Sequence, residues 1–385
     1  MKILLVGNYS KNYQQSMHRF ADLLCRILRD AGNDVALLRP RVILGRFAGT
    51  FPRAAKWLGY GDYLLLFPFW LWIKARSFDV VHLCDHANAV YLPWLRGRPS
   101  VVTCHDMLAI RLARGELTQQ RTGRLGRLYQ RWILRSLRTA HVVACVSTQT
   151  MVECERLTQL DPLCFKVIPN AMDRRFSPMP ADEAALLLRG CGIQDEPFIF
   201  HVGNNSWYKN KPYVVELFAK LRTFAPYANH RLVMAGLPMQ PEVERAAVRL
   251  GVRQYIVETG TVDDRTLRAL YSSADFLLFP SIQEGFGWPI VEAQACDCPV
   301  VTTNAAPMNA VGGSAAAYIP LDAVSQAAEA IVLGLKNRGC MVLSGRQNAA
   351  LFSEEAMVAG YMAAYRQAVE AHVRRTGTVT SRETP

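Results

Sequence analysis

The chain has 385 residues, of which 50% are hydrophobic, 20% charged and 10% aromatic. That length suits two or three domains with sizeable cores, and the composition excludes a disordered or fibrous chain. Lys and Arg number 44 against 32 Asp and Glu, a formal charge of +12, which suits an anionic partner such as a nucleotide phosphate, an acidic membrane or a nucleic acid.

Apolar runs near 2–6, 34–38, 79–84, 100–104, 141–146 and 166–168 predict six strands in the first half. Runs near 198–202, 231–235, 255–259, 276–279, 299–303 and 317–319 predict six more in the second. Continuous Val, Ile and Leu without polar alternation suits parallel strands buried on both faces. Between the strands lie stretches of helical length, in one of which Met17, Phe20, Ala21 and Leu24 fall three and four apart. Alternating strands and helices predict an α/β architecture of two six-stranded parallel sheets rather than a single sheet of twelve. Prolines around 169–180 mark the join, giving domains over 1–178 and 179–352, a last amphipathic helix over 353–375 and a tail over 376–385.

The longest apolar run, Tyr63 to Ile73, is shorter than the ~20 residues that span a bilayer. Met1 to Gly7 leads straight into polar residues, so neither a secretory leader nor a membrane span is expected. Ten cysteines mostly interrupt apolar runs and read as small buried hydrophobes, and Cys296-Asp297-Cys298 lacks zinc spacing. Reduced thiols point to the cytoplasm.

In parallel sheets ligands gather beyond the carboxyl ends of the strands. Gly7-Asn8 follows the first strand without the paired glycines of a dinucleotide site, which disfavours a dehydrogenase. Thr103-Cys104-His105-Asp106 follows the fourth, where a histidine can donate to a substrate hydroxyl or shuttle a proton. Gly203-Asn204 leads to Lys209 and Lys211, point charges suited to phosphate oxygens. The strongest pattern is Glu284-Gly285-Phe286-Gly287-Trp288-Pro289 through Glu292. Gly285 and Gly287 let the backbone approach a ligand, Pro289 suits the start of a helix, and the helix N-terminus attracts an anion. Two carboxylates beside a phosphate site make sense as acceptors for the hydroxyls of two flanking sugars. The physical reading is a sugar–diphosphate–nucleoside ligand.

The block Glu284-(seven residues)-Glu292 resembles the signature of the family 4 retaining glycosyltransferases of the GT-B fold. Phe200-His201-Val202-Gly203 with Lys209-Asn210, Val167 to Asn170, His105-Asp106 and Gly260-x-Val262 resemble further segments of that family. The resemblance implies two Rossmann-like domains facing across a cleft, with the last helix crossing back to the first. It implies metal-independent transfer of a hexose, with retention, from a UDP- or GDP-linked donor, and no cofactor. It places Glu292 on the ribose, Glu284 on the donor sugar, Lys209 on the diphosphate, Val262 at the base and His105 near the reacting centre; Gly7, Asn8 and Asp106 fall on the acceptor side. Asn204 stands where many relatives carry arginine, leaving Lys209 and Lys211 to supply the charge.

Eight arginines between 111 and 138 recur at helical spacing with Leu125, Leu128 and Trp132 among them. Basic amphipathic helices lie on anionic bilayers, so a lipid-linked saccharide acceptor on the inner face of the plasma membrane is the expectation. A sugar-nucleotide epimerase and a non-catalytic sugar-nucleotide-binding protein are the rivals. Nucleic acid is disfavoured because no recognisable binding module accompanies the arginines.

Overall fold

The computed structural model describes residues 1–9, 15–44, 46, 55–194 and 196–377. Ser10, the side chain of Trp57 and the expected tail from 378 onward lie outside them. The chain divides into two compact units, one of Met1–Asn170 with Glu354 onward, the other of Ala171–Ser353.

The first unit holds β1 (Lys2–Val6), β2 (Asp34–Leu38), β3 (Val80–Leu83), β4 (Ser100–Cys104), β5 (Val142–Cys145) and β6 (Phe165–Val167) in the order β2-β1-β3-β4-β5-β6. Every pairing is parallel. All residues of β3, β4 and β5 are buried, as their unbroken apolar runs require. The last helix, Glu354–Thr376, packs on β3, β4, β5 and the helix Gln15–Asp30. Its Tyr361 and Tyr365 are fully buried and pair with Thr103 Oγ1 and His82 Nδ1, each at 2.8 Å. The expected return of the last helix to the first unit is thus observed.

The second unit holds β7 (Phe198–Val202), β8 (Arg231–Ala235), β9 (Ile256–Gly260), β10 (Phe276–Phe279), β11 (Val300–Thr303) and β12 (Ala316–Ile319) in the order β12-β11-β10-β7-β8-β9. The pairings are again parallel. Both sheets are doubly wound, so each has a point where the strand order reverses: between β1 and β3 in the first, between β7 and β10 in the second. Loops leaving the two strands at such a point diverge and open a crevice.

The division falls at Asn170, not at 178. Residues 171–179 are tied into the second unit: Trp288 Nε1 donates to Ala171 O at 3.0 Å, Met172 N–H to Phe352 O at 2.8 Å, Arg268 to Ser177 O and Pro178 O, and Met179 N–H to Ser272 Oγ. The prolines that suggested a later join mark a strap laid along the second unit rather than a linker.

Candidate functional site

At the reversal point of the second sheet, the loop after β7 and the loop after β10 carry the strongest sequence patterns. Residues Trp207–Lys209 form one 3-10 turn, and the helix Lys211–Leu221 follows. Asn210 between them has φ 56°, a left-handed conformation that asparagine tolerates. This turn aims Lys209 back over the strand ends. Its Nζ donates to Glu284 Oε1 at 2.7 Å and lies 4.8 Å from the centre of the Phe279 ring. The side chains of Lys209 and Glu284 are 12% and 11% exposed, so the pair sits at the floor of the crevice rather than on an open surface.

Two glycines let these loops approach. Gly236, which follows β8, has φ +127°, and a Cβ there would lie 2.2 Å from Gly203 O. Gly287 has φ 101° and caps the helix Trp288–Ala295. The helix begins at Trp288, so Pro289 occupies its second position; its missing N–H is one that the helix would leave unpaired anyway. Phe286 is 5% exposed and packs edge-on against Phe352, anchoring the loop between Glu284 and the helix.

The two carboxylates differ in setting. Glu292, one turn into the helix, is 2% exposed, and the Tyr271 hydroxyl donates to its Oε2 at 3.0 Å. Glu292 is buried because that face of the helix is covered by neighbouring helices, Tyr271 coming from Asp264–Ser273. Lys211 departs from expectation. It is 5% exposed, and its ammonium donates to Asn205 Oδ1 at 2.7 Å and Leu237 O at 2.8 Å. Burial lowers its pKa to about 8, opposed by Glu258. Lys211 braces the loops after β7 and β8, leaving Lys209 as the cation that meets Glu284. Asn204 Oδ1 accepts from Ser206 N–H at 3.0 Å and shapes the same loop. Val262 is half-buried on the connection from β9 to the helix Asp264–Ser273.

The first sheet's reversal point carries a polar network. Asn8 Nδ2 donates to Asp85 Oδ2 at 2.6 Å, and Asn88 Nδ2 donates to Asn8 Oδ1 at 2.8 Å. Burial pushes the Asp85 carboxyl up, but His86, His105, the Ala87 N–H and Asn8 outweigh it and hold it low. Gly7 N–H pairs with Leu38 O at 2.8 Å. His105, 6% exposed, lies edge-on against Phe20, and its Nε2 is 2.9 Å from Cys84 O. A carbonyl only accepts, so Nε2 carries the hydrogen and Nδ1 keeps the lone pair. Burial lowers its pKa, against Asp85 and the Cys84 carbonyl. His105 therefore presents a neutral Nδ1 acceptor, its Nε2 hydrogen being taken by Cys84 O. Asp106 Oδ1 accepts from Leu108 N–H at 2.9 Å, closing the turn that leads into the helix Leu108–Arg114.

Sequence reasoning did not find Tyr271, Gly236, Asn205 or Asp85. Only the last two carried a signal, as polar residues directly after strands. All ten cysteines are unbridged and seven are buried.

Residues 17–176 match the family profile Glycosyltransferase Family 4, and residues 196–337 match Glycosyl transferases group 1. A D-inositol 3-phosphate glycosyltransferase of Segniliparus rotundus is 27% identical over 71% of this chain and 62% of its own length. The O-antigen chain mannosyltransferase B of Escherichia coli is 26% identical over 49% and 50%. The chain thus spans little more than half the length of these curated relatives. Among solved structures, the sucrose-phosphate synthase of Thermosynechococcus elongatus superposes with TM-score 0.74 at 19% identity, covering 96% of this chain and all of that one. The Anabaena protein HepE in complex with UDP-glucose gives TM-score 0.69 at 17% identity, covering 96% and 98%. At such identities the likeness is one of fold, the GT-B arrangement of two α/β units.

Proposed function

We propose, for a chain that belongs to the family 4, group 1 glycosyltransferases, that it moves a hexose from a UDP- or GDP-linked donor to a hydroxyl of a lipid-linked saccharide, with retention and without a metal. The observation that carries this reading is the Lys209–Glu284 pair at the reversal point of the second sheet. A shielded ammonium beside a helix N-terminus is a cradle for a diphosphate. On donor binding the diphosphate takes over the Lys209 ammonium, and Glu284 turns its carboxylate to the hydroxyls of the sugar. Glu292, held in orientation by Tyr271, accepts from the ribose. The names of the relatives support saccharide chemistry, and the UDP-glucose held by HepE supports the donor class.

In the reaction, the glycosidic bond to the diphosphate breaks and negative charge grows on the leaving oxygens. Lys209 and the positive end of the helix Trp288–Ala295 favour that charge, so little reorganisation is needed as it develops. The acceptor hydroxyl hands its proton to the departing phosphate oxygen on the same face of the sugar. His105, a neutral acceptor, orients a hydroxyl through Nδ1. The test is release of nucleoside diphosphate from UDP-glucose, GDP-mannose and related donors, with and without a lipid-linked acceptor. Acceptor-dependent release supports transfer; binding without release for every donor supports the non-catalytic alternative, and conversion of the donor sugar without an acceptor supports an epimerase.

A further inference from the structure

The helix Glu354–Thr376 ends beside the amino ends of β4 and β5, the end of the first sheet opposite its reversal-point loops. Two buried histidines meet there. His141, directly before β5, is 6% exposed, and His372, in the last helix, is 5% exposed. His372 Nδ1 lies 3.2 Å from His141 Nε2. The partners fix where the hydrogens sit. His141 Nδ1 accepts from the Ser100 N–H at 3.2 Å, so the hydrogen of His141 is on Nε2. His372 Nδ1 accepts that hydrogen, so the hydrogen of His372 is on Nε2. The relay from Ser100 through His141 therefore ends in an N–H on the far side of the His372 ring, and no acceptor meets it among the described residues.

Cations surround this N–H. Burial lowers the His372 pKa, and the charges of Arg98 and Arg375 lower it further; Arg375 acts on His141 as well. Arg98 stands two residues before β4 and donates to Arg76 O at 3.1 Å, while Arg375 donates to Thr139 O at 3.5 Å. Each guanidinium carries five N–H groups and spends one on these carbonyls. Among the described residues no carboxylate lies within ion-pair reach of Arg76, Arg98 or Arg375. The bare carbonyls of a helix end attract basic side chains, which accounts for Arg375 in the last turn. It does not account for Arg98, which comes from another element. Two of those carbonyls are also taken already, His372 O by the Thr376 hydroxyl and Val373 O by Gly377 N–H, each at 2.9 Å.

We propose that this end of the first unit is a binding site for a phosphate group, free or on a soluble phosphomonoester, held by the guanidinium forks of Arg98 and Arg375 and by His372 Nε2–H. Charge and valence select that ligand. Two forks and an imidazole N–H call for at least three acceptor oxygens and about two negative charges, which a phosphate supplies and a carboxylate does not. The bound group bridges the last helix to the loop before β4 and so fastens the helix end to the sheet. The site lies at the amino ends of the strands, away from the crevice at their carboxyl ends, and the inference holds or fails without the transferase reading.

The test combines titration calorimetry of the full chain with amide hydrogen exchange read by mass spectrometry. The ligands are inorganic phosphate and glucose 6-phosphate, at an ionic strength held constant with chloride. Phosphate is expected to slow exchange over the last turns of Glu354–Thr376, and to do so equally in Lys209→Ala, which lacks the crevice cation. Arg98→Gln and Arg375→Gln each remove a charge-assisted contact and are expected to weaken this binding about 10- to 100-fold. The double variant is expected to lose the slowing at the helix end. Circular dichroism checks the fold of each variant, and the exchange map of the parent decides the matter even where a variant unfolds. Equal affinity in the parent and the double variant would overturn the proposal, as would slowing lost in Lys209→Ala or spread evenly along the chain. So would pelleting with phosphatidic acid vesicles that the double variant loses, while neither soluble phosphate binds; the arginines would then serve a lipid headgroup.

Discussion

Replacing Lys209 by Ala strips a shielded carboxylate of its cation. Glu284 is 11% exposed and accepts the Lys209 ammonium at 2.7 Å. Removing one member of a fully buried pair costs about 3–5 kcal/mol; the residual exposure places this pair at the lower end, about 3 kcal/mol. Lost stability and lost ligand contact are separable by a double mutant. Glu284→Gln with Lys209→Ala removes both charges, so most of the stability returns, while the diphosphate still lacks its cation. Glu284→Gln alone leaves the ammonium without its internal partner and should tighten nucleoside diphosphate binding. The assay is titration calorimetry with UDP and GDP alongside urea unfolding of all four proteins. A charge-assisted hydrogen bond contributes about 1.5–3 kcal/mol, so Lys209→Ala should weaken the preferred nucleotide by about 10- to 100-fold, alone or in the double mutant. Parental affinity in the double mutant would refute the reasoning, since Lys209 would then serve only to neutralise Glu284.

Glu292→Gln keeps an oxygen for Tyr271 but loses charge; nucleoside diphosphate affinity should fall while deoxyribose analogues, which lack a hydroxyl, lose less, and equal losses would remove Glu292 from the ribose. Gly236→Ala puts a Cβ 2.2 Å from Gly203 O at φ +127°; a loss of about 3 kcal/mol in urea unfolding is expected, and an unaltered midpoint would mean that the loops after β7 and β8 do not abut. His82 and His201 are fully buried, and burial lowers each to about 3 from 6.5, His105 reinforcing it for the first. The unfolded chain takes up protons between pH 6.5 and about 3 that the folded chain refuses. Stability is therefore full above the upper value and falls on acidification, by about 1.4 kcal/mol per pH unit for each group; urea midpoints at several pH values check this, and a midpoint that holds steady on acidification would contradict it.

The strands were legible because parallel strands buried on both faces leave unbroken apolar runs that other local structures rarely produce. Lys209 and Glu284 were each legible as site residues because each lies in the loop after a strand; their direct pairing was not, since it needs those two strands to be neighbours. What stayed hidden depends on partners distant in sequence. Glu292 is marked by its motif, but its burial under Tyr271 and a second helix depends on residues its own helix does not reveal. His105 looks like a donor until the Cys84 carbonyl, at the end of an adjacent strand, claims its hydrogen. Lys211 looks equivalent to Lys209, two residues away, yet a left-handed turn at Asn210 sends one ammonium to the crevice and the other to the loop scaffold. The prolines near 178 read as a linker because local sequence does not reveal which unit a strap lies against.

The helix Glu354–Thr376 has a consequence for biogenesis. The second unit is continuous in sequence and is complete once residue 353 has left the ribosome. The first unit, although synthesised earlier, must wait with His82 lacking Tyr365, Thr103 lacking Tyr361 and one flank of its sheet bare until the helix Glu354–Thr376 arrives. The half made first is thus finished last, and it is the half that nascent-chain chaperones would be called on to shelter.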